Sequence, residues 1–295
     1  MNPIKLRNKL AEFLAEDIGD KDVTSTSIFP AGQIGKGVMV AKEDGVLAGS
    51  DFIQIGYQLL NQSIQVERFV TDGSMVKQGQ PIAEVTGPMA QLLTGERVIL
   101  NILQRMSGIA TMTANYIAVL DDPAIHICDT RKTMPGLRML DKYAVTCGGG
   151  KNHRFGLDDG VMIKDNHIAF AGSITKAVEK VREKIGHMIK IEVETETVDQ
   201  VRDAVEAGVD IIMFDNRSAE EVSALRPLVP AHIITEASGN ITLDNIATYK
   251  GTGVDYISLG CLTHSVQALD ISLNVEISEM PANKRGEKAH AKSTL

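Results

Sequence analysis

Between Asp129 and Phe170 this 295-residue chain carries seven Lys/Arg against five Asp, although its formal net charge is −8. Five of these, with His153, fall into three groups, Arg131-Lys132, Lys151 with His153-Arg154, and Lys164. Each group lies beside turn-forming residues: Pro135-Gly136, Gly148-Gly149-Gly150 and Asp165-Asn166. Guanidinium forks match carboxylates, ammonium groups act as point charges on phosphates, and glycines let backbone amides approach a ligand closely. The stretch therefore predicts a pocket for a small polyanion, with Arg131 and Arg154 suited to carboxylates and Lys132, Lys151 and Lys164 to phosphates. Taken singly, each cation also fits a surface salt bridge to Asp129, Asp141, Asp158 or Asp159.

Two acids further along, Glu194 and Asp215, end neighbouring apolar runs. Such a pair can hold Mg²⁺ through water, bind ribose hydroxyls or stabilise a cationic sugar, and alternation puts Glu192 on the same strand face as Glu194. The segments EASGNI (236–241) and SLGCLTHS (258–265) offer glycine turns whose amides suit a phosphate, with Ser238, Gly239, Asn240, Gly260 and His264 as candidates. His126, inside an apolar run, reads as a satisfied core residue and His167 as a capping or turn residue. Arg97 and Arg105, set in a long apolar stretch, read from the residues alone as solvated or salt-bridged helix positions. No spacing here resembles a zinc site.

The elements that must hold these residues alternate in period. Apolar runs at 125–129, 161–165, 189–194, 211–216, 233–238 and 256–260 read as strands, and amphipathic helices such as TVDQVRDAVEAG lie between the later ones. Their C-terminal ends carry Asp129, Lys164, Glu194, Asp215, Ser238 and Gly260, which is where α/β barrels place their chemistry. A seventh strand is expected within 144–150. With no GxGxxG turn, a barrel fits better than a dinucleotide-binding sheet.

Before this unit, Leu6, Leu10, Phe13, Leu14 and Ile18 predict a helix stopped by Gly19, and DKDVTSTSIFP reads as a linker rather than a lid. From 35 to 87, short alternating runs between Asp-Gly and Gly turns predict an antiparallel sheet carrying one helix near 51–60. The stretch from Gln91 to Leu120 predicts one or two buried helices. The fold class expected is α/β: an N-terminal open α/β sandwich domain (1–104, completed by a returning strand within 267–279), a seven-stranded α/β barrel (105–266) and a disordered tail (280–295). Three scattered cysteines, no signal-peptide pattern and no apolar run of membrane length predict a cytoplasmic protein, and an acidic pI near 5.4 argues against nucleic acid or anionic membrane as partner.

From DIGDKDVTS through GERVILN, SGIAT, DTRKTMPGLR, GGGKNHRFGL, IKDNHI, IEVET, IIMFDN, EASG and SLGCLTHS to LDISL, the chain resembles the quinolinate phosphoribosyltransferases. The resemblance implies that quinolinate and phosphoribosyl pyrophosphate, with Mg²⁺, give nicotinate mononucleotide, carbon dioxide and pyrophosphate on the route to NAD. It also implies a homodimer whose active sites borrow residues across the interface, with Arg97 the partner's contribution. By the same matching, Arg97, Arg131, His153 and Arg154 bind the two quinolinate carboxylates. Lys132 and Lys164 serve the pyrophosphate and the reacting centre, Glu194 and Asp215 the ribose hydroxyls and metal, and the late glycine turns the 5′-phosphate. Two departures stand out, Phe214 in place of leucine and Asn240 in place of a second glycine. The competing readings are a nicotinate-using phosphoribosyltransferase, which would need fewer cations, and a non-catalytic, oxyanion-handling relative of the molybdenum-utilisation type.

Overall fold

The structure, a computed structural model, describes residues 1–277, so the stretch expected to be a disordered tail lies outside the described residues. Helix α1 (Pro3–Ile18) buries Leu6, Leu10 and Leu14 at helical spacing and ends at Gly19, whose φ of 58° suits glycine. The segment expected as a linker instead forms α2 (Val23–Ile28). Asp22 caps it by accepting from the Ser25 amide, and the Thr94 hydroxyl donates to the other carboxylate oxygen of Asp22.

Next come β1 (Ile34–Ala41), β2 (Gly45–Val46), α3 (Ser50–Leu60), β3 (Gln65–Arg68), β4 (Met75–Val76) and β5 (Pro81–Pro88). Strand β1 pairs antiparallel with β5, which pairs with β3, while β2 and β4 form a separate ribbon. On its other edge β1 takes the C-terminal strand, Ile271–Ile277. Alternation along β1 buries Met39 and Ala41 on one face, against Tyr57 of α3 and Ile99 and Leu103 of the next helix.

That helix, α4 (Met89–Leu120), is one continuous rod of 32 residues. Leu92, Ile99 and Leu103 belong to the sheet's core, whereas Met106, Ile109, Ala110 and Tyr116 belong to a second core farther along the chain. Apolar residues on more than one face are what a helix shared by two cores requires. Gly108 permits this sharing, because a Cβ there would lie 2.1 Å from the carbonyl oxygen of Gln267, in the segment that leads to the returning strand.

The second unit runs β6 (His126–Cys128), α5 (Arg138–Cys147), β7 (Val161–Ile163), α6 (Asp165–Ala171), α7 (Ile174–Arg182), β8 (Ile191–Thr195), α8 (Val198–Glu206), β9 (Ile211–Asp215), α9 (Ala219–Leu225), β10 (Ile234–Ser238), β11 (Tyr256–Ser258), α10 (Cys261–His264) and then the returning strand, β12 (Ile271–Ile277). Six strands pair in parallel in the order β6-β11-β10-β9-β8-β7. Residues 144–150, expected to hide a seventh strand, instead end α5 and turn; the seventh position is a single bridge from Lys151 to Cys128. Among the described residues no strand pairing joins Lys151 to β7, so the ladder is open there. His126, expected in the core, is exposed with its ring 5.4 Å from that of Tyr256. No helix among the described residues is long and apolar enough to cross a membrane.

Strand alternation now has a functional meaning. Val193, Ile212, Phe214, Ala237 and Ile257 pack in one core with Val201, Ala204 and Val222 of the surrounding helices. The intervening residues, Glu192, Glu194, Met213, Asp215, Glu236 and Ser238, line two cavities on the opposite face of the sheet. Gly108→Ala should lower stability by roughly 1–3 kcal/mol, because the clash is with backbone and no side chain can yield. A denaturant midpoint equal to that of the wild type would show that the 267–268 segment does not press on α4.

Candidate active site

The upper cavity, about 770 Å³, opens at the C-terminal ends of the strands. Arg131 and Lys132 reach it from the loop after β6, His153 and Arg154 from the turn after α5, Lys164 from the N-cap of α6 just after β7, Glu194 from β8 and Asp215 from β9. Ser238, Gly239 and Asn240 follow β10, and Gly260 and His264 follow β11. Of the residues expected to bind substrate, Arg97 is absent from this lining and stands exposed on α4. Lys151 is also elsewhere, at the rim of a second cavity of about 600 Å³ that shares His153 and Arg154 with the first. Glu192 faces this lower cavity and does not share the upper one with Glu194.

A buried ion pair positions the basic loops. Asp129 and Lys142 are both fully buried and bonded to each other. Asp129 also accepts from Asn152 Nδ2 (2.6 Å) and from the amide of His153 (2.9 Å), and Lys142 Nζ donates to the His153 carbonyl (2.9 Å). Burial raises the Asp129 pKa, while the charge and hydrogen bond of Lys142 act against this. Arg138 fixes the neighbouring loop through bonds to Thr133 Oγ1 (3.1 Å) and the carbonyl of Phe155 (3.0 Å). From the other side Arg105 forks onto Asp141 with two bonds of 2.9 Å and donates to the Thr263 carbonyl (3.0 Å). The hydroxyl of Thr263 in turn donates to the Lys132 carbonyl (2.8 Å). Sequence reading missed Lys142, Asn152 and Arg138 as supports, because only tertiary pairing separates them from ordinary helix and loop residues.

With the local acids committed in this way, none of Arg131, Lys132 and Arg154 forms an ion pair among the described residues. The Arg131 Nε is buried and has no hydrogen-bond partner. Burial and the nearby charge of Arg131 lower the pKa of Arg154. Lys164 is the exception, since it pairs with Glu194 across β7 and β8. Two guanidiniums destabilising each other in a partly buried cavity form a site that favours an anion.

The phosphate-type turns are also preorganised. Gly239 has φ +91°, and a Cβ on it would lie 2.2 Å from Asn216 Oδ1. Asn216 accepts from Asn240 Nδ2 (2.9 Å), and its amide donates to the Ser238 carbonyl (2.8 Å). Asn240 itself sits at φ 55°, a region that Asn tolerates, so its departure from glycine preserves the turn. Phe214, the other departure, is fully buried away from the cavity. His167 accepts from the Lys164 amide and caps α6, as expected of a capping residue.

Below the floor, Nε2 of His153 lies 3.0 Å from Glu192 Oε2 and 3.8 Å from Glu236 Oε2. The three ligand atoms lie within 4.8 Å of one another, a spacing that could hold a metal. The proton inventory opposes it. The Arg154 amide donates to His153 Nδ1 (2.8 Å), so the neutral ring carries its proton on Nε2, where a metal would need a lone pair. Burial works to lower the His153 pKa but the bond to Glu192 and the charges of Glu236 and Glu192 outweigh it, giving a net rise. A second ring proton would nonetheless set Nδ1–H against the Arg154 N–H, so the observed contacts hold the Nε2–H tautomer. Burial first, then repulsion by Glu192, push the Glu236 pKa up to about 8.

A parallel sheet wrapped by helices, with unpaired cations, two carboxylates and glycine turns gathered at the strand ends, defines an α/β enzyme site for anionic substrates, placed where barrel enzymes place theirs. Sequence models of the family described as quinolinate phosphoribosyl transferase match residues 22–107 (N-terminal domain) and 109–274 (C-terminal domain). The chain belongs to this family. It is 55% identical, over 94% of its own length and 96% of the relative's, to a Bacillus subtilis protein named as a probable carboxylating nicotinate-nucleotide pyrophosphorylase. It is 43% identical to a mitochondrial, decarboxylating quinolinate phosphoribosyltransferase of Nicotiana glauca, covering 89% of this chain and 80% of that one. The crystal structure of NadC from Streptococcus pyogenes superposes with a TM-score of 0.92 at 40% identity, over 95% of this chain and 99% of that one.

The raised Glu236 pKa fixes the sign of a pH effect. Its stabilising contribution is fully present below the ordinary value of 4.5 and is lost as pH rises through about 8. The melting temperature of the wild type should therefore fall from pH 5 to pH 9 more steeply than that of Glu236→Gln, which keeps position 236 neutral throughout. Parallel curves would show that Glu236 is ionised across the whole range.

Proposed function

We propose that the chain transfers the phosphoribosyl group of phosphoribosyl pyrophosphate to quinolinate and decarboxylates the product, giving nicotinate mononucleotide, pyrophosphate and carbon dioxide in NAD biosynthesis. The observation that carries this reading is the pair Arg131 and Arg154, two guanidiniums in one cavity with no carboxylate of their own. The two adjacent carboxylates of quinolinate supply the missing charge. Lys132 and Lys164 then take the pyrophosphate end of the donor, and the turns at Ser238, Gly239, Asn240, Gly260 and His264 take its 5′-phosphate.

The chemistry follows from charge. The ring nitrogen of quinolinate attacks C1 of the ribose while the C1–O bond to pyrophosphate breaks, and the sugar gains oxocarbenium character that Glu194 and Asp215 stabilise. The ribosylated nitrogen is cationic. When the C2 carboxylate leaves as carbon dioxide, its bonding electrons remain on C2 beside that nitrogen, and a proton then adds at C2. Glycosyl transfer thus precedes decarboxylation, and no base is needed for it. Holding two anionic reactants together against their mutual repulsion is the work of the cationic cavity.

Glu194 and Asp215 fit Mg²⁺: both are oxygen donors at a water-accessible cavity, and each has one carboxylate oxygen beyond those bonded to Lys164 and Asn216. The ion would neutralise pyrophosphate charge as it develops. Thiols that are all unpaired, Cys128, Cys147 and Cys261, support the cytoplasmic reading. The same proposal includes a homodimer in which Arg97, exposed on α4 and outside its own cavity, completes the partner's site.

Purified protein with phosphoribosyl pyrophosphate and Mg²⁺ should release nicotinate mononucleotide and carbon dioxide from quinolinate and give no nucleotide from nicotinate. Product from nicotinate alone would overturn the substrate, and free nicotinate appearing before nucleotide would overturn the order of steps. For the shared site, Arg97→Ala and Lys164→Ala chains, each inactive alone, should recover about a quarter of wild-type activity when mixed, because mixed dimers carry one intact site. No recovery under conditions of proven subunit exchange would place both residues in one subunit's site.

A further inference from the structure

His153 is immobilised from every side that offers a polar atom. Asp129 and Lys142 hold its backbone, the Arg154 amide occupies Nδ1, and Glu192 faces Nε2 at 3.0 Å. Neither ring nitrogen is left for a carboxylate in the upper cavity unless one of these bonds breaks. The imidazole is therefore placed to act on its neighbour in sequence. Arg154 reaches the cavity with its guanidinium while Nη1 donates to the Gly160 carbonyl (2.8 Å), so its backbone and one end of its fork are both fixed.

Glu192 sets this arrangement. It lies two residues before Glu194 on β8, one inward-facing layer below the site, with its side chain 4% exposed. One of its oxygens takes the His153 proton, and Oε1 is buried with no hydrogen-bond partner, as is Oε1 of Glu236. Orphaned carboxylate oxygens at this depth are costly and call for a reason beyond stability. We propose that Glu192 is a positioning residue: by accepting from Nε2 it fixes the tautomer of His153 whose bare Nδ1 anchors the Arg154 backbone, and so aims the Arg154 guanidinium at quinolinate. His153 on this account positions Arg154 and is not itself a carboxylate ligand. Glu236, 3.8 Å from Nε2, is the second wall of the ring's slot.

The inference rests on the reading that Arg154 binds quinolinate, and the test separates the two. Glu192→Gln keeps an acceptor for Nε2–H, whereas Glu192→Met fills similar space without one. Glu192→Met should raise the KM for quinolinate about tenfold, with kcat and the KM for phosphoribosyl pyrophosphate within about twofold of wild type. Glu192→Gln should stay within about threefold of wild type in all three. An unchanged quinolinate KM in Glu192→Met, a fall in kcat alone, or equal damage in both variants would overturn the role of Glu192 while wild-type turnover of quinolinate still stands. Wild-type protein that does not turn over quinolinate overturns both. Should Glu192→Met fail to fold, ¹⁵N spectra of the wild-type imidazoles decide: a protonated Nε2 with a bare Nδ1 at His153 is expected, and the opposite tautomer overturns the proposal.

Discussion

The bond between Asp129 and Lys142 is the constraint on which the site depends. Both groups are removed from water, so neither charge is tolerable without the other, and the remaining lone pairs and protons need partners as well. Asn152, the His153 amide and the His153 carbonyl provide them. The end of β6, the middle of α5 and the turn carrying His153-Arg154 are thereby tied to one point. A buried pair of this kind is weak support for net stability and strong support for geometry, since hydrophobic isosteres would pack as well but would not specify where the turn goes.

Committing Asp129 to Lys142 and Asp141 to Arg105 has a second effect. Asp129 and Asp141 are consumed by structural cations and Asp159 accepts from the Phe155 amide, so these acids do not neutralise the cations facing the upper cavity. The unpaired cations are in this way concentrated at one end of the sheet's inner face. Cations and amides gather at the strand ends, where Glu194 and Asp215 stand on one wall, and a buried acidic pair, Glu192 and Glu236, stands one layer below with His153 between. A chain with an overall negative charge can hold a dianionic substrate because this concentration is local.

Much of this was legible in the sequence, for physical reasons that differ by feature. The six parallel strands, α1 and the long α4 show in period and composition because burial acts residue by residue. The cations gathered at the cavity show because glycine and proline turns mark where strands end. What stayed hidden depends on pairing between distant residues. Asp129 is an ordinary acid until Lys142 is seen against it, Glu236 is an ordinary strand residue until Glu192 faces the same ring, and the seventh strand position at Lys151 is one bridge with no period to detect. Helix α2 was missed because its helical state rests on a cap, Asp22, stabilised by Thr94 from 72 residues away. His126 lies between buried Ile125 and Ile127 in an apolar run, and only the paired sheet shows that its alternate face at the start of β6 is exposed.

The helix α4 shows why a two-core protein can keep one site rigid. Arg105, on the half of α4 that joins the barrel core, holds Asp141 of α5 and the Thr263 carbonyl of α10, and Thr263 holds the Lys132 carbonyl. Movement of the helix would be felt directly at the loop that presents Arg131 and Lys132. Arg97 is eight residues earlier on the same helix, a rise of about 12 Å, and faces solvent. If a partner's cavity takes Arg97, one rigid helix sets the position of cations in two cavities at once. A rod packed on two cores cannot shift against one without disturbing the other, so the loop that Arg105 holds through Asp141 and Thr263 keeps its register with both.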